Sequence, residues 1–413
     1  MTTVVQITPE IAPGTGVGAV AHHLEQEWLR AGVDVRRFTL AECGGGWLPA
    51  PGGGVGGRLA LLARVVWFST VGTARARAHL RAHPEQLSVC HNDALAGDVY
   101  VNHGIVQVAM ASRGHARLRL LRNPLHVFTT ARDRYRYTRS GAHRVVVNLV
   151  RAEERLLRDT YPRLRPPTVV IGNGVDVDRF RPPTRAERSD ARKALGVKET
   201  DRVVLFIGNE FDRKGLPPLT DALAATDPST HLVVVGGTPE LLASARHRAE
   251  RVGVAHRVHL VGAHPDPRPW LHAADVLASP SAYESYGLVV LEALACGVPV
   301  VATPTGCVPD VVVDGVNGAV VDATDGPLAE ALAAALERVL ALPVEAARAA
   351  ARATAEEHSW ALVARRYLDL LTSLGHGPAT GTSSDDATPA GATTAGASTE
   401  GRRPADARPG GGA

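Results

Sequence analysis

The fold class this sequence predicts is α/β, with two doubly wound domains, and three observations carry it. The chain has 413 residues, more than one compact core ordinarily serves. In the first half, short β-rich runs alternate with helical patterns, the order of a mostly parallel sheet covered by helices on both faces. The same alternation restarts after a junction at about 173–200 that holds an Asn-Gly turn, Pro182-Pro183 and many charges, as a hinge does. Hydrophobic residues at 45% and charged residues at 21% give an ordinary globular balance, and a net charge of +3 selects no class of partner.

In chain order, the first half reads as a strand at Thr3–Thr8, an amphipathic helix at Gly16–Ala31 and a strand at Val33–Leu40. Further strands are expected at Leu87–Cys90, Val99–Asn102, Arg144–Val147 and Thr168–Ile171. Met1–Ile11 has no basic region and no long apolar core, so it is read as a strand and not as a signal peptide. No run approaches the length of a spanning helix; the best, Leu59–Gly72, is short and carries Arg64. Cys43, Cys90, Cys296 and Cys307 form no CxxC pair, and they are expected to be reduced thiols of a cytoplasmic protein.

The second half gives strands at Arg202–Ile207, His231–Val235, Arg257–Val261, Asp275–Ser279 and Val298–Ala302. Leu328–Glu357 is Ala-rich and helical, and Ser359-Trp360 opens a last amphipathic helix to about Leu374. The expected boundaries are therefore 1–178, 179–357 and a helix 358–374 packing back toward the first domain. The tail 375–413 cannot bury enough apolar surface to order itself. Two such domains facing each other leave the carboxyl ends of both sheets lining one cleft.

The sharpest segment is Pro280-Ser281-Ala282-Tyr283-Glu284-Ser285-Tyr286-Gly287-Leu288, continuing through Glu292 to Ala295-Cys296-Gly297-Val298-Pro299-Val300. Glu284 and Glu292 are eight residues apart, about 12 Å along a helix axis, too far to share one atom. That span suits two hydroxylated rings joined by a diphosphate. A helix starting near Ser285 offers free N–H groups, such as those of Gly287 and Leu288, to phosphate oxygens. The bland alternative is a first-turn acid followed by an exposed helical Glu.

This pattern resembles the signature of family 4 of the retaining glycosyltransferases, and the resemblance runs from about Val4 to Leu374 with several stretches in the expected order. It implies the GT-B fold, with 1–178 as the acceptor side and 179–357 as the nucleotide-sugar donor domain. It further implies that Glu292 binds the donor ribose and that Glu284 lies at the transferred sugar. The stretch Phe206–Gly215 matches too: Arg213 and Lys214 would supply cations to a donor diphosphate. Many relatives have Arg directly after the glycine where this chain has Asn209, a departure for which Arg213 would compensate. Some branches, including glucosyltransferases that build lipopolysaccharide core, carry a small polar residue there.

On the acceptor side, the turn Pro13-Gly14-Thr15-Gly16-Val17-Gly18 would face the cleft, with Gly14 and Gly16 nearest donor phosphate and acceptor. Taken alone, such a turn is a weak dinucleotide signal, and the second strand offers only Glu42 as the acid a dehydrogenase needs. His103-Gly104 matches the family's strand-end His beside the reacting sugar, and His91-Asn92-Asp93 also points to the rim. Asn173-Gly174-Val175-Asp176 with Phe180 matches the hinge, so Asp176-Val177-Asp178 is read as hinge geometry and not as a metal-holding DxD. Thr303–Gly306 and Asp310 fall where relatives close over the sugar.

The implied activity is transfer of a hexosyl group from a nucleoside diphosphate sugar to a glycan, glycolipid or small-molecule hydroxyl, with retention and without a divalent metal or other cofactor. His103, Glu284 and Lys214 are the expected catalytic set. UDP-glucose is the first donor to consider, with GDP- and ADP-sugars open. An Arg-rich segment at 112–144, with Leu118, Leu120, Leu121, Leu125, Val127, Phe128, Tyr135 and Tyr137 interleaved and one acid, Asp133, is either a solvated face or a contact with anionic membrane, which would place the protein peripherally at the inner face of the plasma membrane. No nucleic-acid recognition motif accompanies it. The rival readings are a nucleotide-sugar epimerase, a non-catalytic nucleotide-sugar-binding protein and, last, an NAD-linked oxidoreductase.

Overall fold

In the computed structural model, residues 2–14, 16–105, 124–139, 141–322 and 327–375 are described. The first sheet contains β1 (Thr3–Ile7), β2 (Asp34–Phe38), β3 (Leu87–His91), β4 (Val99–Asn102), β5 (Val145–Asn148) and β6 (Thr168–Val170), in the order β2-β1-β3-β4-β5-β6. The second contains β7 (Arg202–Ile207), β8 (Thr230–Val235), β9 (Val258–Gly262), β10 (Val276–Ser279), β11 (Val300–Ala302) and β12 (Gly318–Val320), in the order β12-β11-β10-β7-β8-β9. Every pairing is parallel. Central strands such as β4, β5 and β10 are buried along their whole length, which is why they read as continuous apolar runs instead of alternating ones.

Both orders contain a switch point where the strand sequence reverses direction, between β1 and β3 in the first sheet and between β7 and β10 in the second. Ligands of doubly wound sheets bind beyond the carboxyl ends of the strands at such points. The helices that matter below are α1 (Val17–Arg30) after β1, α2 (Arg151–Thr160) after β5, α3 (Phe211–Lys214) after β7, α4 (Leu288–Ala295) after β10 and α5 (Trp360–Gly375) at the end.

Helix α5 lies on α1: Trp28 Nε1 donates to the Ala364 carbonyl at 2.9 Å, and the Trp28 ring meets Tyr367 edge-on. The chain crosses between the halves at Val175, whose N–H donates to the His358 carbonyl and whose carbonyl accepts from Trp360 N–H. One apolar cluster runs from β1 and α1 through Val175, Trp360 and Tyr367 to α4, so the two sheets share a core.

Several elements differ from the sequence reading. The Ala-rich stretch is two helices, Leu328–Leu340 and Val344–Glu356, because Pro343 at the second start has no N–H to continue the first. Strand β12 was not expected; it is three residues long and begins at the glycine of Asn317-Gly318. Leu59–Gly72 is the middle of one helical run, Gly54–Ala82, of 29 residues with a π-turn at Phe68–Gly72, and by length and composition it is apolar enough to cross a membrane. Phe68, Gly72 and Ala76 of that run are nevertheless buried in the first half.

The Arg-rich segment also departs in part. Arg132 and Arg136 turn inward: Arg132 pairs with Asp93 at 2.6 Å, and Arg136 pairs with Asp133 at 2.7 Å while its guanidinium covers the Tyr100 ring. Those two arginines and Tyr137 are spent on the core and not on a lipid-facing surface. Residues 112–123 and 140 of the segment, and the tail from 376, lie outside the described residues.

Candidate active site

The second half builds its side of the cleft from two loops at its switch point. After β7 the chain passes Gly208-Asn209-Glu210 into the single turn of α3, and Gly215 closes that turn in a left-handed conformation with φ 78°. A Cβ on Gly215 would sit 2.1 Å from the Pro280 carbonyl oxygen, so only glycine lets this loop lie against the one that follows β10. The contact is sealed by the Ala282 N–H, which donates to the Arg213 carbonyl at 2.8 Å.

That packing brings charges together. The Glu284 carboxylate accepts from Lys214 Nζ and from Ser281 Oγ at 2.8 Å, and Arg213 stands 3.8 Å away while donating to the Tyr283 carbonyl at 2.6 Å. Helix α4 starts at Leu288 and not near Ser285, because Gly287 takes φ 87° and turns the chain sharply into it. Gly287, Leu288 and Val289, at the start of the helix, line the cleft beside Ser285. Leu288 is half-buried and lines the cleft; Val290, Leu291 and Leu294 carry the packing. Tyr286 is buried beneath, its hydroxyl donating to the Asn173 carbonyl at 2.7 Å, which ties the loop to the hinge.

The cleft itself has a volume of about 710 Å³, inside the range of small-molecule sites, roughly 300–1,000 Å³. From the second half it is lined by Asn209, Glu210, Arg213, Lys214, Glu284, Ser285, Tyr286, Gly287 and Leu288, with Glu210 ion-paired to Arg213. From the first half it is lined by Gly16, Val17 and Val20 at the start of α1, and by His103. Gly16 holds φ 80°, the backbone freedom that the turn into α1 requires.

His103 Nε2 lies 3.2 Å from His91 Nδ1. Burial pushes His103 down to about 4 and holds His91 well below the usual imidazole range, so both rings are neutral near pH 7. His91 is fully buried behind His103 and does not line the cleft; the second ring orients the first. Gly14 is exposed and is not among the residues lining the cleft, whereas Gly16 is.

Glu292 is not among the lining residues either. It lies one turn beyond Leu288 on the same face of α4, half-buried, and burial raises its carboxyl to about 7, with Arg179 opposing and Asp266 adding to the shift. Asn209 reaches the cleft, but its Oδ1 accepts from the Gly237 N–H at 3.2 Å and so braces the loop after β8. Among the described residues no group of three or more His, Cys, Asp or Glu is gathered as metal ligands would be.

Residues 187–357 match the family described as glycosyl transferases group 1. Over that stretch, which lies in the second half, the chain is similar to that family. Over 162 residues the chain is 40% identical to the D-inositol 3-phosphate glycosyltransferase of Mycolicibacterium gilvum (strain PYR-GCK), covering 37% of this chain and 35% of that protein. Over 203 residues it is 32% identical to the lipopolysaccharide core biosynthesis mannosyltransferase LpsB of Rhizobium meliloti (strain 1021), covering 48% and 57%. These matches span about a third to just over half the length of the curated relatives. Among solved structures it resembles WaaG, a glycosyltransferase involved in lipopolysaccharide biosynthesis, with a TM-score of 0.66 at 22% identity over 90% of this chain and 99% of that one. The two Rossmann-like halves thus have the GT-B arrangement.

One further side chain faces a cavity beside the cleft. Glu153, on the first turn of α2, is 6% exposed, and burial raises its carboxyl to about 8, with a backbone contact at Leu149 opposing. In the sequence it hides inside the charged run Arg151–Arg155. Its position four residues after Leu149 and four before Leu157, both buried, is the signal that it occupies an apolar stripe. Asp310 accepts from the Arg151 N–H at 3.2 Å, joining the start of α2 to the second half instead of facing the cleft.

Proposed function

We propose that the protein is a glycosyltransferase that moves a hexosyl group from a nucleoside diphosphate sugar, a UDP-sugar in the first instance, to an acceptor hydroxyl with retention of configuration. One observation carries the reading: Arg213, Lys214, Glu284 and the N-terminus of α4 converge on one cleft at a switch point, opposite Gly16 and His103. Two cations beside a helix N-terminus form an electrostatic cradle for a diphosphate. In this proposal the diphosphate is neutralised by those groups without a divalent metal.

Glu284 and the neutral His103 then flank the transferred sugar, and Glu292 takes the ribose as the donor settles along α4. Attack comes from the face that the leaving phosphate vacates, with that phosphate assisting deprotonation of the acceptor. The family match and the named glycosyltransferase relatives support transfer as the reaction class. The test is a calorimetric panel of UDP-, GDP-, ADP- and dTDP-sugars against wild type and Glu292→Ala. One donor class binding, with affinity lost in the variant, is the expected outcome; no binding to any donor would remove the proposal.

A further inference from the structure

A second cavity, of about 140 Å³, adjoins the cleft and shares Glu284 and Ser285 with it. A cavity of roughly this size admits a benzene ring. On the side of the first half its wall is Ile105, Val150 and Leu156, with Glu153 set among them; Tyr283 faces it from the other half. Among the described residues lining it, none is a cation. Glu153 Oε2 is buried and has no hydrogen-bond partner among the described residues, and Oε1 lies 3.9 Å from where a Cβ on Gly104 would stand, on the residue after His103.

A buried polar atom without a partner is costly unless a ligand or water satisfies it. This one sits on an otherwise apolar wall next to the carboxylate that flanks the transferred sugar. We propose that the cavity is an acceptor subsite for an uncharged, hydroxyl-bearing group with an apolar face, and that the Glu153 carboxyl meets that group as a hydrogen-bond donor. The inference rests on the transferase reading and deepens it. A phosphorylated acceptor would find no cation among the described residues of these walls. An uncharged one that closes the cavity removes the last water from Glu153, which favours its protonated form further.

The sign of the pH dependence follows. Glu153 is protonated at pH 6.5 and largely ionised at pH 9, given its rise to about 8. Among the described residues, the other titratable side chains lining the cavity are Tyr283 and Glu284, both from the loop after β10. The probe is octyl β-D-glucopyranoside below its micelle concentration, titrated by calorimetry with and without UDP. Wild type should bind it at pH 6.5 and roughly three- to tenfold more weakly at pH 9. Glu153→Gln, which keeps a donor at all pH values, should bind equally at both. Leu156→Trp, at a half-exposed position that tolerates size, should fill the cavity and abolish binding at both. Equal affinity of wild type at the two pH values, or undiminished binding by Leu156→Trp, overturns the inference. No UDP binding by wild type with the glucoside pattern intact would overturn the transferase reading, and with it the acceptor role, and leave only a glucoside-binding cavity.

Discussion

Lys214 Nζ rests on the Glu284 carboxylate, across the join between the loops that follow β7 and β10. A diphosphate entering the cleft must draw Lys214 toward itself while meeting the negative charge of Glu284. Lys214→Ala removes a charge-assisted hydrogen bond and should weaken UDP binding by roughly 10- to 100-fold. Glu284→Gln frees the ammonium and removes a like charge, so UDP should bind about threefold or more tightly while sugar transfer falls. Calorimetry with UDP checks both; a loss of affinity in Glu284→Gln equal to that in Lys214→Ala would show that the pair acts only as a structural brace.

Gly215 is where the two loops touch. Its φ of 78° and the 2.1 Å approach of a virtual Cβ to the Pro280 oxygen leave no room for alanine. Gly215→Ala should cost about 1–3 kcal/mol of stability and move Lys214 away from Glu284, lowering UDP affinity along with the melting temperature. Urea unfolding and UDP titration on the same preparation test it. A variant as stable as wild type would mean that the Pro280 loop yields freely.

The His91–His103 pair makes a separate prediction. With burial holding both rings below the ordinary range, His103 at about 4, no step attributable to imidazole should appear in donor binding between pH 5.5 and 8. Long-range proton–nitrogen NMR should report neutral tautomers of both rings down to about pH 5. His91→Phe should leave the cleft open yet lower transfer, because His103 loses the ring nitrogen that fixes its orientation. An imidazolium signal from His103 at pH 6.5 would contradict the burial argument.

Much of the fold is legible in the sequence because parallel strands buried on both faces are short continuous apolar runs, and β7 is predicted to the residue. The clustering of Lys214 with Glu284 is equally legible, since each follows a strand that ends at the cleft. What the sequence hides is depth. His91 and His103 both end strands, yet one ring stands behind the other, and nothing local distinguishes them. Glu153 is disguised by three charged neighbours, Arg151, Glu154 and Arg155, and Asn209 by a hydrogen bond to Gly237 that depends on how two loops meet. Gly287, at φ 87°, sets where α4 begins, and Leu288 at that start lines the cleft.

The contact between α1 and α5 should govern the stability of the first half. Trp28 is fully buried, donates to Ala364 and packs on Tyr367. Trp28→Leu removes the hydrogen bond and leaves a cavity, with an expected cost of about 2–4 kcal/mol. Urea denaturation read by far-ultraviolet circular dichroism measures it, and a change under about 0.5 kcal/mol, the size of an ordinary surface substitution, would show that α5 contributes little to the shared core.

Glu292 carries the last prediction. Its carboxyl is raised to about 7 in the unliganded protein, so it is mostly protonated at pH 6 and mostly ionised at pH 8. Only the ionised form accepts from both hydroxyls of a ribose, so donor binding should favour ionisation and release a proton. UDP-glucose is the suitable probe, because its diphosphate diester does not titrate in this window. Its affinity should rise by up to about tenfold from pH 6 to pH 8 and then level off. Glu292→Gln should bind more weakly and show a flat profile. Calorimetry in buffers of different ionisation enthalpy counts the proton directly: release of a fraction of a proton near pH 7 by wild type and none by the variant is expected. A pH profile that keeps its slope in Glu292→Gln would take the ribose away from this carboxyl and require the nucleoside to lie elsewhere along α4.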